Sequence, residues 1–274
     1  MSVLNRRKFL SAASAAALVT AIHRPLTWAV PILNESHATA RILSLRLQTA
    51  APLEEMRAFY SDTLGLDVLE ESSTELTIGG GATPITFVKS DAKQGAPFYH
   101  FAFNIPQNKI RQAREWQRER SEILSVFPRL RDKQFPNDVV HFSNWNAHSV
   151  FFLDPAENVV EYIARHDLKN DADGPFTSRD ILHASEIAFV VDDVSAMASK
   201  LQETFDLAQY RTGSNVFRAL GDEHGLLLVF ERGRNLSVGA DKSKLADVFP
   251  THAEIRGRAA THTVAEFDYE IRGR

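Results

Sequence analysis

The chain has 274 residues, 44% hydrophobic and 24% charged, enough for a sizeable core in one large or two small domains. A formal net charge of −4 argues against a binder of nucleic-acid backbones. The absence of cysteine excludes disulfides, thiolate metal sites, a cysteine nucleophile and a lipid-anchored cysteine.

At the N-terminus Asn5-Arg6-Arg7-Lys8-Phe9-Leu10 precedes an apolar run to Ile22, and no acid appears before Glu35. A basic start and an apolar centre of about a dozen residues predict a signal peptide over 1–29, since a spanning helix needs about twenty. The arginine pair with Lys-Phe-Leu resembles a bacterial twin-arginine signal. That resemblance implies export by the twin-arginine machinery, cleavage after Ala21 or Ala29, and a periplasmic protein with no stable membrane anchor. Export in the folded state also suits a protein that carries a cofactor.

From Ala40 the pattern becomes regular. Leu43, Leu45 and Leu47 alternate with Ser44, Arg46 and Gln48, which predicts a half-buried strand over 42–48. Leu53, Met56, Tyr60 and Leu64 recur at helical spacing, with Gly65 suited to end that helix. Strands are expected near 67–71, 74–78 and 84–88. The same order returns with a strand at Phe98–Ile105, in which His100, Ala102 and Asn104 face away from Tyr99, Phe101 and Phe103. An amphipathic helix follows near 108–120, with Ile110, Ala113 and Trp116 on its apolar stripe and its arginines in solvent. The stretch His148–Arg165 then reads as strand, Asp154-Pro155 turn, strand, with Glu161 in the middle of the return. An acid buried there needs a partner. The polar segment 167–182 reads as a linker. A third copy opens at Ser185, with Asp193 as N-cap, a stripe of Val194, Met197, Leu201 and Phe205, and strands near 207–212, 215–219 and 226–231. The strand-like tail from Thr251 has no room for a helix and is expected to finish the third unit's sheet, a truncated fourth copy at most. The fold class is α+β: repeated β-α-β-β-β units forming cupped mixed sheets, with helices on the outer face. Two units are expected in 40–166, and the third with the C-terminal strands in 183–274.

Three motifs carry a family resemblance: Phe59-Tyr60 with Leu64-Gly65-Leu66, Asp154-Pro155 with Asn158 and Glu161, and Val191-Asp192-Asp193-Val194. Together they resemble the vicinal oxygen chelate superfamily, which includes glyoxalase I, extradiol ring-cleaving dioxygenases and the fosfomycin- and bleomycin-resistance proteins. The resemblance covers 40–166 well and 183–233 less closely.

It implies a small organic ligand held in a β-cup, and metal ligands on the first and last strands of paired units. His100 and Glu161 fall on such positions, and suit a divalent ion such as Fe, Mn, Ni or Zn. Glu161 would also serve as the catalytic proton carrier. The first-strand ligand of unit one falls on Leu45 or Ser44, neither a good donor. His148 is the candidate third ligand, and His141 a weaker one. Glu186 holds the first-strand position of unit three, but Val229, the expected last-strand counterpart, is no ligand, so a second metal site is not expected there. The implied activity is that of a metal-dependent lyase, isomerase or dioxygenase. The alternative is a metal-free protein that sequesters small molecules or drugs in the same cup. Because cup-forming units pair within or between chains, a homodimer stays open.

Overall fold

The computed structural model describes residues 40–90, 95–135, 138–236 and 244–274. The expected signal peptide lies outside the described residues. Among those described, no helix is long and apolar enough to cross a membrane.

Strand β1 is Ile42–Thr49, and its alternation buries Leu45 and Leu47 while Arg46 stays exposed. Helix α1, Leu53–Arg57, continues as a wider π-type segment over Ala58–Thr63, and together they bury Leu53, Met56 and Tyr60. Gly65, at φ 69°, turns the chain out of it. Strands β2 (Val68–Glu71), β3 (Glu75–Gly80) and β4 (Thr83–Lys89) complete unit one.

Unit two is β5 (His100–Ile105), α2 (Ile110–Arg118), β6 (Val140–Phe142), β7 (Ala147–Leu153) and β8 (Val159–Arg165). Unit three is β9 (His183–Val191), α3 (Val194–Phe205), β10 (Phe217–Asp222) and β11 (Gly225–Glu231). Asp193 caps α3 by accepting from the Ala196 amide at 2.9 Å. The strand expected near 207–212 is reduced to a single bridge, Gln209 to Leu220. The tail forms β12 (Thr251–Ile255), β13 (Ala260–Val264) and β14 (Tyr269–Gly273).

These strands build two seven-stranded mixed sheets, ordered β13-β14-β12-β1-β4-β3-β2 and β10-β11-β9-β5-β8-β7-β6. Unit two therefore pairs with unit three, through antiparallel β5 and β9, rather than with unit one. The C-terminal strands do not finish the third unit's sheet. They pair with unit one, β12 running antiparallel to β1, as a helix-less fourth unit. Segment 167–182 is no loose linker: Phe176 is buried, Ser178–Asp180 forms a capped helical turn, and the Lys109 ammonium donates to the carbonyls of Asp173 and Gly174.

The main core joins the inner faces of both sheets. Leu45, Leu47 and Phe87 of one meet the same apolar cluster as Phe101, Phe103, Tyr162 and Phe189 of the other, with the helical stripes. Buried polar ties add direction. The Tyr60 hydroxyl donates to Asp154 at 2.7 Å, and Asn158 donates to both Asp154 oxygens while accepting from the Tyr99 amide. Tyr60 of unit one and Tyr99, Asp154 and Asn158 of unit two thus meet in one network. The left-handed residue of that turn is Glu157, at φ 62°.

Candidate metal centre

In the second sheet, Ala102 on the central strand β5 is the reference point. It lies opposite Glu161 of parallel β8 on one side and Glu186 of antiparallel β9 on the other. Residues directly opposite share a sheet face, and His100 stands two residues from Ala102 on that same face. One imidazole and two carboxylates therefore project into one cup, over a side chain small enough to let the acids converge. The His100 Nε2 atom lies 3.5 Å from Glu161 Oε2 and 3.8 Å from Glu186 Oε2. All three residues are buried.

The hydrogen bonds around them set their chemistry. The Nδ1–H of His100 donates to the Val159 carbonyl, 2.9 Å away, which leaves Nε2 with its lone pair toward the acids. Burial holds the His100 pKa below the ordinary histidine value, against the pull of Glu186. The buried guanidinium of Arg165 pairs with Glu186 Oε1 and donates to Asn104 Oδ1 at 3.1 Å. Trp145 and Tyr210 flank it, with ring centroids 5.5 and 5.8 Å from its central carbon. Among the described residues Glu161 has no such counterion at hydrogen-bonding distance, and its Oε1 atom lacks a partner in good geometry. Burial first, and then the neighbouring Glu186 charge, lift its carboxyl well above the usual range, outweighing Ser149 and Arg165.

The floor thus holds two carboxylates against one guanidinium. The remaining negative charge must be cancelled by a proton on Glu161 or by a bound cation. A neutral imidazole, two carboxylates and an orphaned carboxylate oxygen fit a divalent ion of the borderline or oxygen-preferring kind.

Above this floor is a cavity of about 360 Å³. Its wall is aromatic, from Phe127, Phe142, Trp145, Phe151, Phe217 and Phe230, with Arg129 and Arg234 as its cations. Phe151 lies nearly parallel to the His100 ring, at 6.2 Å and 29°.

Of the residues expected at the site, the structure brings His100 and Glu161 together and does not bring His148 to them. His148 pairs with Ala164, out of phase with the Phe151–Glu161 pair, so it belongs to the opposite face, with Val150 and Phe152. It gathers there with His141 and Asp132. The third donor is Glu186, on the first strand of unit three, where the sequence leads to no expectation of a metal site. Its signal was present: like Glu161, it is an acid inside an otherwise apolar strand. Arg165 was missed altogether. The counterpart of Glu161 in unit three is Leu228, which lines the cup, whereas Val229 is buried in the main core. In unit one, Leu45 is core and Ser44 donates to Glu254, so neither approaches the cup donors.

No family model matches the chain, and no curated protein sequence does. Solved structures match its shape. A protein from Bacillus subtilis, named as a presumptive dioxygenase, superposes with a TM-score of 0.55 at 15% identity, over 87% of this chain and 86% of that one. Glyoxalase I from Zea mays gives 0.46 at 16% identity, over 80% and 76%. At such identities the likeness is one of fold alone: two mixed sheets built from paired β-α-β-β-β units, as in the Bacillus subtilis structure.

Proposed function

We propose that this protein is a metal-dependent enzyme of the glyoxalase/dioxygenase type, acting on a small planar substrate with two adjacent oxygens. The observation that carries the reading is the convergence of His100, Glu161 and Glu186 on the floor of an aromatic cup. These three residues would hold the ion. When bound, it supplies Lewis acidity toward both substrate oxygens. The chain does the rest. Arg165 fixes Glu186, the Val159 carbonyl fixes the His100 tautomer, and Glu161 Oε1 is placed to hold or deliver a proton at the floor. The aromatic wall suits stacking on a ring, and Arg129 and Arg234 suit an anionic substituent. Export through the twin-arginine route to the periplasm belongs to the same proposal, on the strength of Arg6-Arg7-Lys8-Phe9-Leu10.

A second reading, metal-free sequestration of a small molecule, is favoured by one observation: Arg165 already neutralises one of the two acids, so a proton on Glu161 suffices to make the floor neutral. Titration with 4-nitrocatechol, with and without Fe(II) or Mn(II), separates the readings. A metal-dependent shift of the catecholate absorption, lost in E161Q and E186Q, supports the enzyme. Binding that ignores both metal and E161Q supports the binder.

A further inference from the structure

Outside the cup, the opposite face of β6 and β7 carries a second group of donors. His141 and His148 are directly opposite one another across these strands, their rings stacked at 4.5 Å and 5°. Asp132 reaches them from the preceding loop, its Oδ2 atom 3.2 Å from His148 Nε2. One ligand atom from each of the three lies within 4.8 Å of the others.

The protonation pattern behind His148 decides what the group can do. The Gln107 side-chain amide donates to Asp171, so its NH₂ faces that carboxylate and its Oε1 faces His166. His166 must then carry its proton on Nδ1, to donate to Gln107 Oε1 at 3.0 Å. Its Nε2 is thereby an acceptor, and takes a proton from His148 Nδ1 at 2.7 Å. A His148 ring with its single proton on Nδ1 turns a bare Nε2 toward Asp132 Oδ2, 3.2 Å away, which sets two acceptors against each other. The other Asp132 oxygen already accepts from the Gln134 amide. A cation between Nε2 and Oδ2 resolves the opposition, and the exposed His141 supplies a third donor.

We propose that Asp132, His141 and His148 form a second divalent-metal site, of the zinc type by its two imidazoles and one carboxylate, with His166 and Gln107 holding the tautomer from behind. Its place gives it a role. Asp132 follows directly on the segment whose Phe127, Arg129 and Leu130 wall the cup, so an ion here pins that wall to the sheet edge. The site is independent of the proposed cup chemistry and stands whether or not His100 and Glu161 hold metal.

The test is zinc titration by calorimetry on the chain prepared without a polyhistidine tag, as wild type, H141A, D132N and E161Q. His141 is exposed, so H141A leaves the fold intact, which circular dichroism checks. The expected result is one zinc equivalent fewer in H141A than in wild type, or affinity at that site weaker by about tenfold or more, with D132N behaving alike. E161Q keeps this equivalent, and any loss in E161Q reports on the cup alone. H141A and D132N that both take up as much zinc as wild type, at the same affinity, overturn the proposal and leave a plain imidazolium–carboxylate pair.

Discussion

The two sheets follow one plan and end with opposite chemistry on their outward faces. On the first, Arg46 pairs with Glu75 and Ser44 with Glu254, and the Arg46 and Glu75 side chains are 44% and 40% exposed. On the second, His100, Glu161 and Glu186 are 8%, 3% and 2% exposed. The register differs little, since each central strand has one parallel and one antiparallel neighbour. What differs is the cover. The second sheet is roofed by the aromatic wall of Phe127, Phe142, Trp145, Phe217 and Phe230, and the face around Arg46 and His252 is a shallow polar groove among the described residues. The same classes of side chain are solvated ion pairs on one sheet and desolvated, mutually dependent donors on the other.

Substitutions sharpen that contrast. Arg165→Met strands Glu186 beside Glu161 and should destabilise the protein by about 3–5 kcal/mol in urea unfolding, as expected for breaking a buried ion pair from one side. Tyr60→Phe removes the donor to buried Asp154, whose pKa burial pushes up to about 6, and should cost about 1.5–3 kcal/mol by the same measurement. A pH series with chelator present should show the Glu161 effect. Its folded pKa is raised, so its contribution to stability is full below the ordinary carboxylate value and is lost as pH rises through the raised value. Wild type should therefore lose stability over that interval, and E161Q should not. Metal uptake at a pH below the raised Glu161 value should release a proton in wild type, read by calorimetry in buffers of different ionisation enthalpy. The smallest effect belongs to the first sheet: Arg46→Ala should change stability by less than about 1 kcal/mol.

Much of this was legible in the chain. Period-two alternation places His100 on the cup face, and the Asp154–Asn158 turn sets Glu161 on the returning strand. The motif tyrosine, aspartate and asparagine prove to be one buried network. Strand partnership between units was not legible, because edge pairing depends on which apolar faces meet after the units have formed. Without it, Glu186 had no visible route to Glu161, although both interrupt apolar strands. Two further differences are matters of parity. Counting to Val229 instead of Leu228 crosses the sheet, and the hairpin that pairs Phe151 with Glu161 puts His148 on the far side. Arg165 closes β8, where a charged residue ordinarily meets water, yet it is buried against Glu186, Asn104 and the rings of Trp145 and Tyr210.

The most direct measurement is an anomalous difference map from crystals grown with Mn(II). A peak about 2.0–2.3 Å from His100 Nε2 and from an oxygen of both Glu161 and Glu186 is the expected result. A saturating Mn(II) concentration with no peak on that floor, and Glu161 bonded only to protein or ligand atoms, would contradict a metal centre in the cup.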